Sequence, residues 1–182
     1  MLDRIKERLE CYTPKRLIIR DAVPSGVILP LVIYNDLLSI LFTKRSNKVK
    51  DHKGEISFPG GVKEAKDKDI KETAIRETVE ELGISRDHIE IIGELDDYLT
   101  VTNYLITPFV GVIDREVSFT NYNKEEIDSI IVLPLSLFLE NDCHREELLS
   151  DDHKVHIYEV KEHIIWGATA SILYNFISII KR

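Results

Sequence analysis

Sulfur is scarce in this chain. Two cysteines, Cys11 and Cys143, stand far apart among 182 residues, with no CxxC pair and no histidine at ligand spacing from either. A disulfide framework and a thiolate metal knuckle are therefore not expected, and two reduced thiols are. Positive charge is also in short supply. Lys and Arg number 24 against 32 Asp and Glu, for a net charge of −8. A nucleic-acid partner held by a basic surface is not expected on that balance. A small phosphorylated substrate stays open, because a bound metal ion reverses the local sign. No apolar run reaches the length of a membrane span. The stretch MLDRIKERLE is charged and amphipathic rather than a secretory leader, and FISIIKR is neither a peroxisomal nor a lipidation tail. These absences lead to the expectation of a cytoplasmic protein with no membrane partner. Monomer and homodimer both stay open.

What is present is ordinary globular material, with 43% hydrophobic and 31% charged residues. One domain over residues 1–182 is expected, with residues 1–22 as a helical extension. Leu2, Ile5 and Leu9 recur at helical spacing, which predicts a helix over Leu2–Cys11. VILPLVIY (Val27–Tyr34) and LLSILFT (Leu37–Thr43) read as strands joined by a tight turn at Asn35-Asp36. A second helix is predicted over Asp69–Leu82, capped by Asp67 or Asp69 and ended by Gly83. His88–Glu94, Leu105–Ile113, Glu126–Leu133 and Lys154–Val160 read as strands, and Ala168–Ile180 as a last apolar helix that can begin at Trp166. Strands and helices in this order predict an α/β or α+β domain.

The stretch RETVEELG (Arg76–Gly83) carries three glutamates on one turn of the second helix. At about 100° per residue, Glu77, Glu80 and Glu81 share one side while Ile75, Thr78, Val79 and Leu82 share another. Carboxylates are hard oxygen ligands, so this face suits Mg²⁺ or Mn²⁺ as well as plain solvent. Arg76 borders the acidic side and can hold one carboxylate in place.

With its upstream residues the segment reads GGVKEAKDKDIKETAIRETVEELGI. It resembles the Nudix box, Gx5Ex7REUxEExGU with U aliphatic. Gly61, Arg76, Glu77, Glu80, Glu81, Gly83 and Ile84 match, so the box spans residues 61–84. The interval from Gly61 to Arg76 is one residue longer than the pattern. In place of the early Glu, Asp67 stands at the right distance from Gly61 and Lys68 at the right distance from Arg76. Thr78 occupies a usually aliphatic position.

Before the box, LFTKRSNKVKDHKGEISFPGG (Leu41–Gly61) resembles the added motif of the coenzyme A pyrophosphatases, LLTxR(S/A)x3Rx3Gx3FPGG. Leu41, Thr43, Arg45, Ser46, Gly54, Phe58, Pro59, Gly60 and Gly61 are in register. Phe42 replaces a Leu and Lys50 replaces the second Arg. Blocks at Leu99–Val112, Glu125–Ser136 and Trp166–Leu173 also look like that subfamily, so the resemblance runs from Val27 to Leu173.

The resemblance implies a Nudix α/β/α sandwich, a mixed sheet between helices with the box as a loop–helix–loop. It implies metal-dependent hydrolysis of the pyrophosphate of coenzyme A or an acyl derivative, giving adenosine 3′,5′-bisphosphate and 4′-phosphopantetheine or its acyl form. Mg²⁺ or Mn²⁺ would be held by Glu77, Glu80, Glu81 and the Gly60 carbonyl. Arg76, Glu77, Glu80 and Glu126 form the expected catalytic set, and the proton acceptor is open between Glu77 and the loop carboxylates Glu125 and Glu126. Arg45, Ser46, Lys50, Gly54 and Phe58 form the expected substrate-binding set, with the cations suited to the cofactor's 3′-phosphate. Alternatives are a Nudix enzyme acting on ADP-ribose, NADH or another nucleoside diphosphate derivative, and a nucleotide-sensing domain without catalysis. His52, His153, His156 and His163 lack metal spacing, Trp166 and Tyr174 read as core anchors, and Ser57 and Ser171 lack a visible base.

Overall fold

The computed structural model describes residues 1–48, 53–150 and 153–182. Strands β1 (Val23–Tyr34) and β2 (Leu37–Arg45) form the hairpin that the sequence predicts. Asn35 and Asp36 have φ values of 48° and 61°. Left-handed backbone at both turn positions matches the right-handed twist of the flanking strands, and Asn and Asp tolerate it. The strands β3 (Ile56–Ser57) and β4 (Gly60–Val62) follow, then helix α2 (Ile70–Leu82), β5 (Ile89–Glu94), β6 (Tyr98–Leu99), β7 (Tyr104–Ile113) and β8 (Ile127–Pro134). Helix α1 (Leu2–Glu10) precedes them all.

These strands make one mixed sheet. β1 runs parallel to β7 and antiparallel to β2, β8 pairs with β2, and β5 pairs with β7. Side chains alternate across it, as period-two geometry requires. Leu29 and Leu31 of β1, with Ile40 and Phe42 of β2, face a core shared with Leu9 of α1 and Phe176. Ile28 faces Ala74 and Ile75 of α2, and Val32 and Leu41 join Leu82 on that side. Helices thus cover both faces of the sheet. Removing one such side chain, as in Leu29→Ala, typically costs about 2–5 kcal/mol because the cavity only partly relaxes.

The chain ends with α3 (Ser136–Leu139), a small sheet of β9 (His144–Ser150), β10 (His153–Val160) and β11 (His163–Trp166), and helix α4 (Gly167–Lys181). Periodicity did not predict β3, β4, β6, β9 or β11. Two-residue strands carry no pattern, and HREELLS of β9 puts charge on both faces. The helical extension is also shorter than expected. It stops at Glu10, and the chain beyond is held by side-chain and backbone bonds to Asp96 and Asp97 instead, including Lys15 N–H to Asp96 at 2.8 Å and Leu17 N–H to Asp97 at 3.0 Å. Trp166 is the residue that precedes α4, but it is 49% exposed, and Tyr174 is 38% exposed. Neither is the core anchor that the sequence suggested. No helix among the described residues is long and apolar enough to cross a membrane.

Candidate active site

Helix α2 begins where Asp69 accepts a hydrogen bond from Glu72 N–H at 2.9 Å. It ends at Gly83, whose φ of 64° and N–H bond to Val79 O close the last turn. The helix lies close on β1. A Cβ at Gly26 would come 2.5 Å from Ile70 O, so glycine is what lets the two backbones approach. Thr78 tolerates an aliphatic position because its hydroxyl donates to Ala74 O at 2.7 Å, leaving no unpaired polar group in the core.

The three glutamates differ sharply in depth. Glu81 is 3% exposed, Glu77 is half-buried and Glu80 is exposed. The acidic and packed faces are therefore not separate, as the helical wheel suggested. Glu81 follows Thr78 by three residues and Ala74 by seven, so it rides the stripe that faces the sheet. Burial pushes its carboxyl up to about 8, with the Arg45 guanidinium and a Gly60 N–H bond opposing. Burial also raises Glu77 above the usual carboxylate range, against the pull of Arg76.

Arg76 is the clamp of the site. Its Nε and Nη2 donate to the two oxygens of Asp67 at 2.9 and 3.0 Å, and Nη1 donates to Glu77 at 2.8 Å and Glu80 at 3.2 Å. Asp67 is buried and also accepts from Thr73 Oγ1 and Glu64 N–H, each at 2.9 Å. The Arg76 hydrogen bonds hold the Asp67 carboxyl well below its ordinary range. Asp67 is thus neither the helix cap nor a bystander. Of the two residues that could stand for the early Glu, it meets Arg76, while Lys68 is exposed. Its distance from Gly61 was the signal available in the sequence.

Glycines seat the carboxylates. Gly60 has a φ of 153°, and a Cβ there would lie 2.4 Å from Gly26 O. At Gly61 a Cβ would lie 2.5 Å from the Glu77 carboxyl carbon. The start of β4, held by pairing of Gly60 with Val27, therefore leaves room for the Glu77 carboxylate.

Two further segments close in. Arg45 is the last residue of β2 rather than a loop residue, and its Nε is buried without a hydrogen-bond partner. The next residue, Ser46, is buried and donates its N–H to Glu126 O at 2.7 Å. Asn123 N–H in turn bonds Glu81 O at 2.9 Å, and Asn123 Nδ2 donates to Glu126 at 3.0 Å. Through these bonds the exposed Glu126 carboxylate comes near enough to raise both Glu77 and Glu81. Glu125 points elsewhere, to Lys48 at 3.1 Å. Gly54, at φ 71°, donates to Arg45 O and shapes the turn behind Arg45. Phe58, expected in the substrate-binding set, is 5% exposed and stacks on Phe42 at 5.1 Å in the core. Lys50 and His52 lie outside the described residues.

Glu81 Oε2 is buried and has no hydrogen-bond partner. Such an orphaned carboxylate oxygen costs about 1–3 kcal/mol or more. A divalent cation satisfies it with oxygen ligands of the right hardness, with Glu77 the carboxylate of the helix that acts on Glu81 and Glu80 next to Glu77 on the Arg76 clamp. The residues present therefore fit Mg²⁺ or Mn²⁺.

Comparison with known proteins bears on the family and the fold. The NUDIX domain family model matches residues 25–159. The chain is 35% identical over 154 residues to a protein of Photorhabdus laumondii named uncharacterized Nudix hydrolase NudL, covering 83% of this chain and 81% of that protein. It is 32% identical over 151 residues to Nudix hydrolase 22, chloroplastic, of Arabidopsis thaliana, covering 79% of this chain but 50% of that one, so it spans about half the length of the plant relative. Among solved structures, a Caenorhabditis elegans Ap4A hydrolase binary complex superposes with a TM-score of 0.52 at 14% identity, over 62% of this chain and 80% of that one, a likeness of fold.

Proposed function

The chain belongs to the Nudix domain family, and from that premise we propose that it hydrolyses the pyrophosphate of coenzyme A or an acyl derivative with the help of Mg²⁺ or Mn²⁺. The observation that carries the hydrolytic reading is the buried, unpartnered Glu81 oxygen beside Glu77, with the clamp of Arg76 behind them. The choice of coenzyme A rests on the upstream motif, whose Arg45 and Gly54 sit where β2 delivers a cation to Glu81.

A bound divalent ion contributes positive charge against a polyanionic substrate and makes water more acidic. Glu77 and Glu81 are the ligands on this reading, with Glu80 and the Gly60 carbonyl beside them. Arg76 holds Glu77 in one rotamer, which keeps the donor set ready. Arg45 meets an incoming phosphate with a guanidinium that has no other partner at Nε, and can bind it in the planar fashion that Lys cannot. Glu126 takes the proton of the attacking water as the new P–O bond forms. The pyrophosphate P–O bond breaks, releasing adenosine 3′,5′-bisphosphate and 4′-phosphopantetheine or its acyl form. Glu126 suits the proton better than Glu77, because it is exposed on a loop and is not committed to Arg76.

The test is product analysis with Mg²⁺ or Mn²⁺ on coenzyme A, acetyl-CoA, dephospho-CoA, ADP-ribose, NADH and a nucleoside triphosphate. Metal-dependent release of adenosine 3′,5′-bisphosphate, with coenzyme A esters ahead in kcat/KM, supports the proposal. Preference for ADP-ribose or NADH keeps the metal chemistry and removes the coenzyme A assignment. Metal binding without turnover of any of them points to a sensor.

A further inference from the structure

His144, Glu146 and His156 carry no ligand spacing in sequence, and the hairpin of the small sheet brings them together. In the β9–β10 register, Glu146 stands opposite His156, and His144 stands opposite Tyr158. Residues two apart on a strand share a face, so His144 and Glu146 point the same way and His156 lies diagonally across from His144. His144 Nε2 and His156 Nδ1 are 3.0 Å apart, and Glu146 Oε1 is 3.8 Å from His156 Nδ1. One donor atom from each of the three lies within 4.8 Å of the others.

We propose that His144, Glu146 and His156 form a second metal site, separate from the carboxylates of α2, that takes a borderline transition-metal ion of the Zn²⁺ class. Two nitrogens on a tetrahedral zinc, each at about 2.0–2.1 Å, are roughly 3.3–3.4 Å apart. The observed 3.0 Å is within a small side-chain adjustment of that value. Two imidazoles and one carboxylate leave a fourth position for water, and Glu146 is exposed, which gives the ion a path in.

The rings are held for the task. Tyr174 of α4 stacks on His156 at 4.1 Å and 14°, and on His144 at 5.0 Å and 25°. Tyr158 lies against His144 at 4.8 Å. Their rotamers are therefore fixed before any ion arrives. Burial lowers the proton affinity of both imidazoles. Only one nitrogen of the close pair can donate to the other, so an ion between them requires the donating ring to carry its proton on its outer nitrogen instead. Glu146 divides its oxygens, with Oε2 on Lys154 at 3.2 Å and Oε1 toward His156. Lys154 and Lys181 both add positive charge nearby. That disfavours Mg²⁺, which depends on carboxylate charge, relative to an ion that binds neutral imidazole. An ion here would tie β9 to β10 and, through Tyr174, set both against α4.

Long-range ¹H–¹⁵N spectra of the wild-type imidazoles test the site without any substitution. One equivalent of Zn²⁺ is expected to shift His144 Nε2 and His156 Nδ1 and to leave His88 and His163 in place. Co²⁺ is expected to give the visible absorption of a tetrahedral ion. His144→Ala and His156→Ala should weaken Zn²⁺ binding by more than the roughly 10–100-fold that follows loss of a mere supporting partner. Glu81→Gln should leave the imidazole shifts intact, which separates this site from the α2 carboxylates. If Zn²⁺ moves neither imidazole in the wild type, or both alanine variants bind it as tightly as the wild type, the site does not exist.

Discussion

Helix α2 gathers Glu77, Glu80 and Glu81 from five consecutive residues, whereas the β9–β10 hairpin gathers His144, Glu146 and His156 from thirteen. The first cluster is built by helical periodicity and then sunk into the sheet, so its deepest oxygen loses all its partners. The second is built by strand register, stays half in solvent, and is ordered by stacked rings. A periodic cluster announces its residues in the sequence but hides how far each is desolvated. A register cluster hides its membership, because any one-residue slip would turn every side chain to the other face.

Glu81→Gln is expected to give the largest effect, a fall in kcat of about 10²–10⁴-fold, the range for losing a central catalytic group. The contrast lies in stability. In the metal-free protein Glu81 keeps its proton up to about pH 8, against the ordinary 4.5. Its contribution to stability is therefore fully present below about pH 4.5 and lost as pH rises through about 8, since the folded chain binds more protons over that window. Thermal melts of metal-free protein should show this decline, and Glu81→Gln should flatten it while lowering turnover. An unchanged slope would show that Glu81 is not desolvated.

Gly61→Ala comes next. A Cβ lying 2.5 Å from the Glu77 carboxyl must displace it. A fall in kcat of roughly 10²-fold is expected, as for misplacement of about 1 Å, with KM for the metal rising too. Arg45→Ala should lower kcat/KM by about 10–100-fold, the worth of one charge-assisted hydrogen bond. Because Arg45 faces Glu81, the loss should be the same for coenzyme A and dephospho-CoA. A selective loss on coenzyme A would return Arg45 to the 3′-phosphate role that its basic character first suggested.

On the hairpin side the effects should be smaller. Tyr174→Ala removes the ring that stacks on both imidazoles and is expected to cost about 1–2 kcal/mol in chemical denaturation with kcat unchanged. A drop in kcat would mean that the two clusters are coupled. Least of all, Lys48→Ala breaks, among the described residues, an exposed pair with Glu125 and should change stability by no more than about 0.5 kcal/mol.

The legible parts of the molecule share a cause. The β1–β2 hairpin was written in Asn35-Asp36, the two residues that tolerate left-handed backbone. Helix α2 was written in the Asp69 cap, the apolar spacing and Gly83. The gathering of Glu126 was only half legible. Its loop is fixed by Asn123 N–H on Glu81 O and by the fit of Gly83 against Asn121, contacts with no local pattern. The packing of Phe58 on Phe42 was not legible, because a motif position gives no hint of which way its ring faces.

By itself, then, the sequence determined the helix that carries the carboxylates and the hairpin of β1 and β2, since each rests on interactions within a few residues. Only the tertiary structure decided that Asp67 rather than Lys68 pairs with Arg76, that Glu81 rather than Glu80 is buried, and that His144 meets His156. Those outcomes depend on desolvation and on the register of distant segments, which arise when the chain closes on itself.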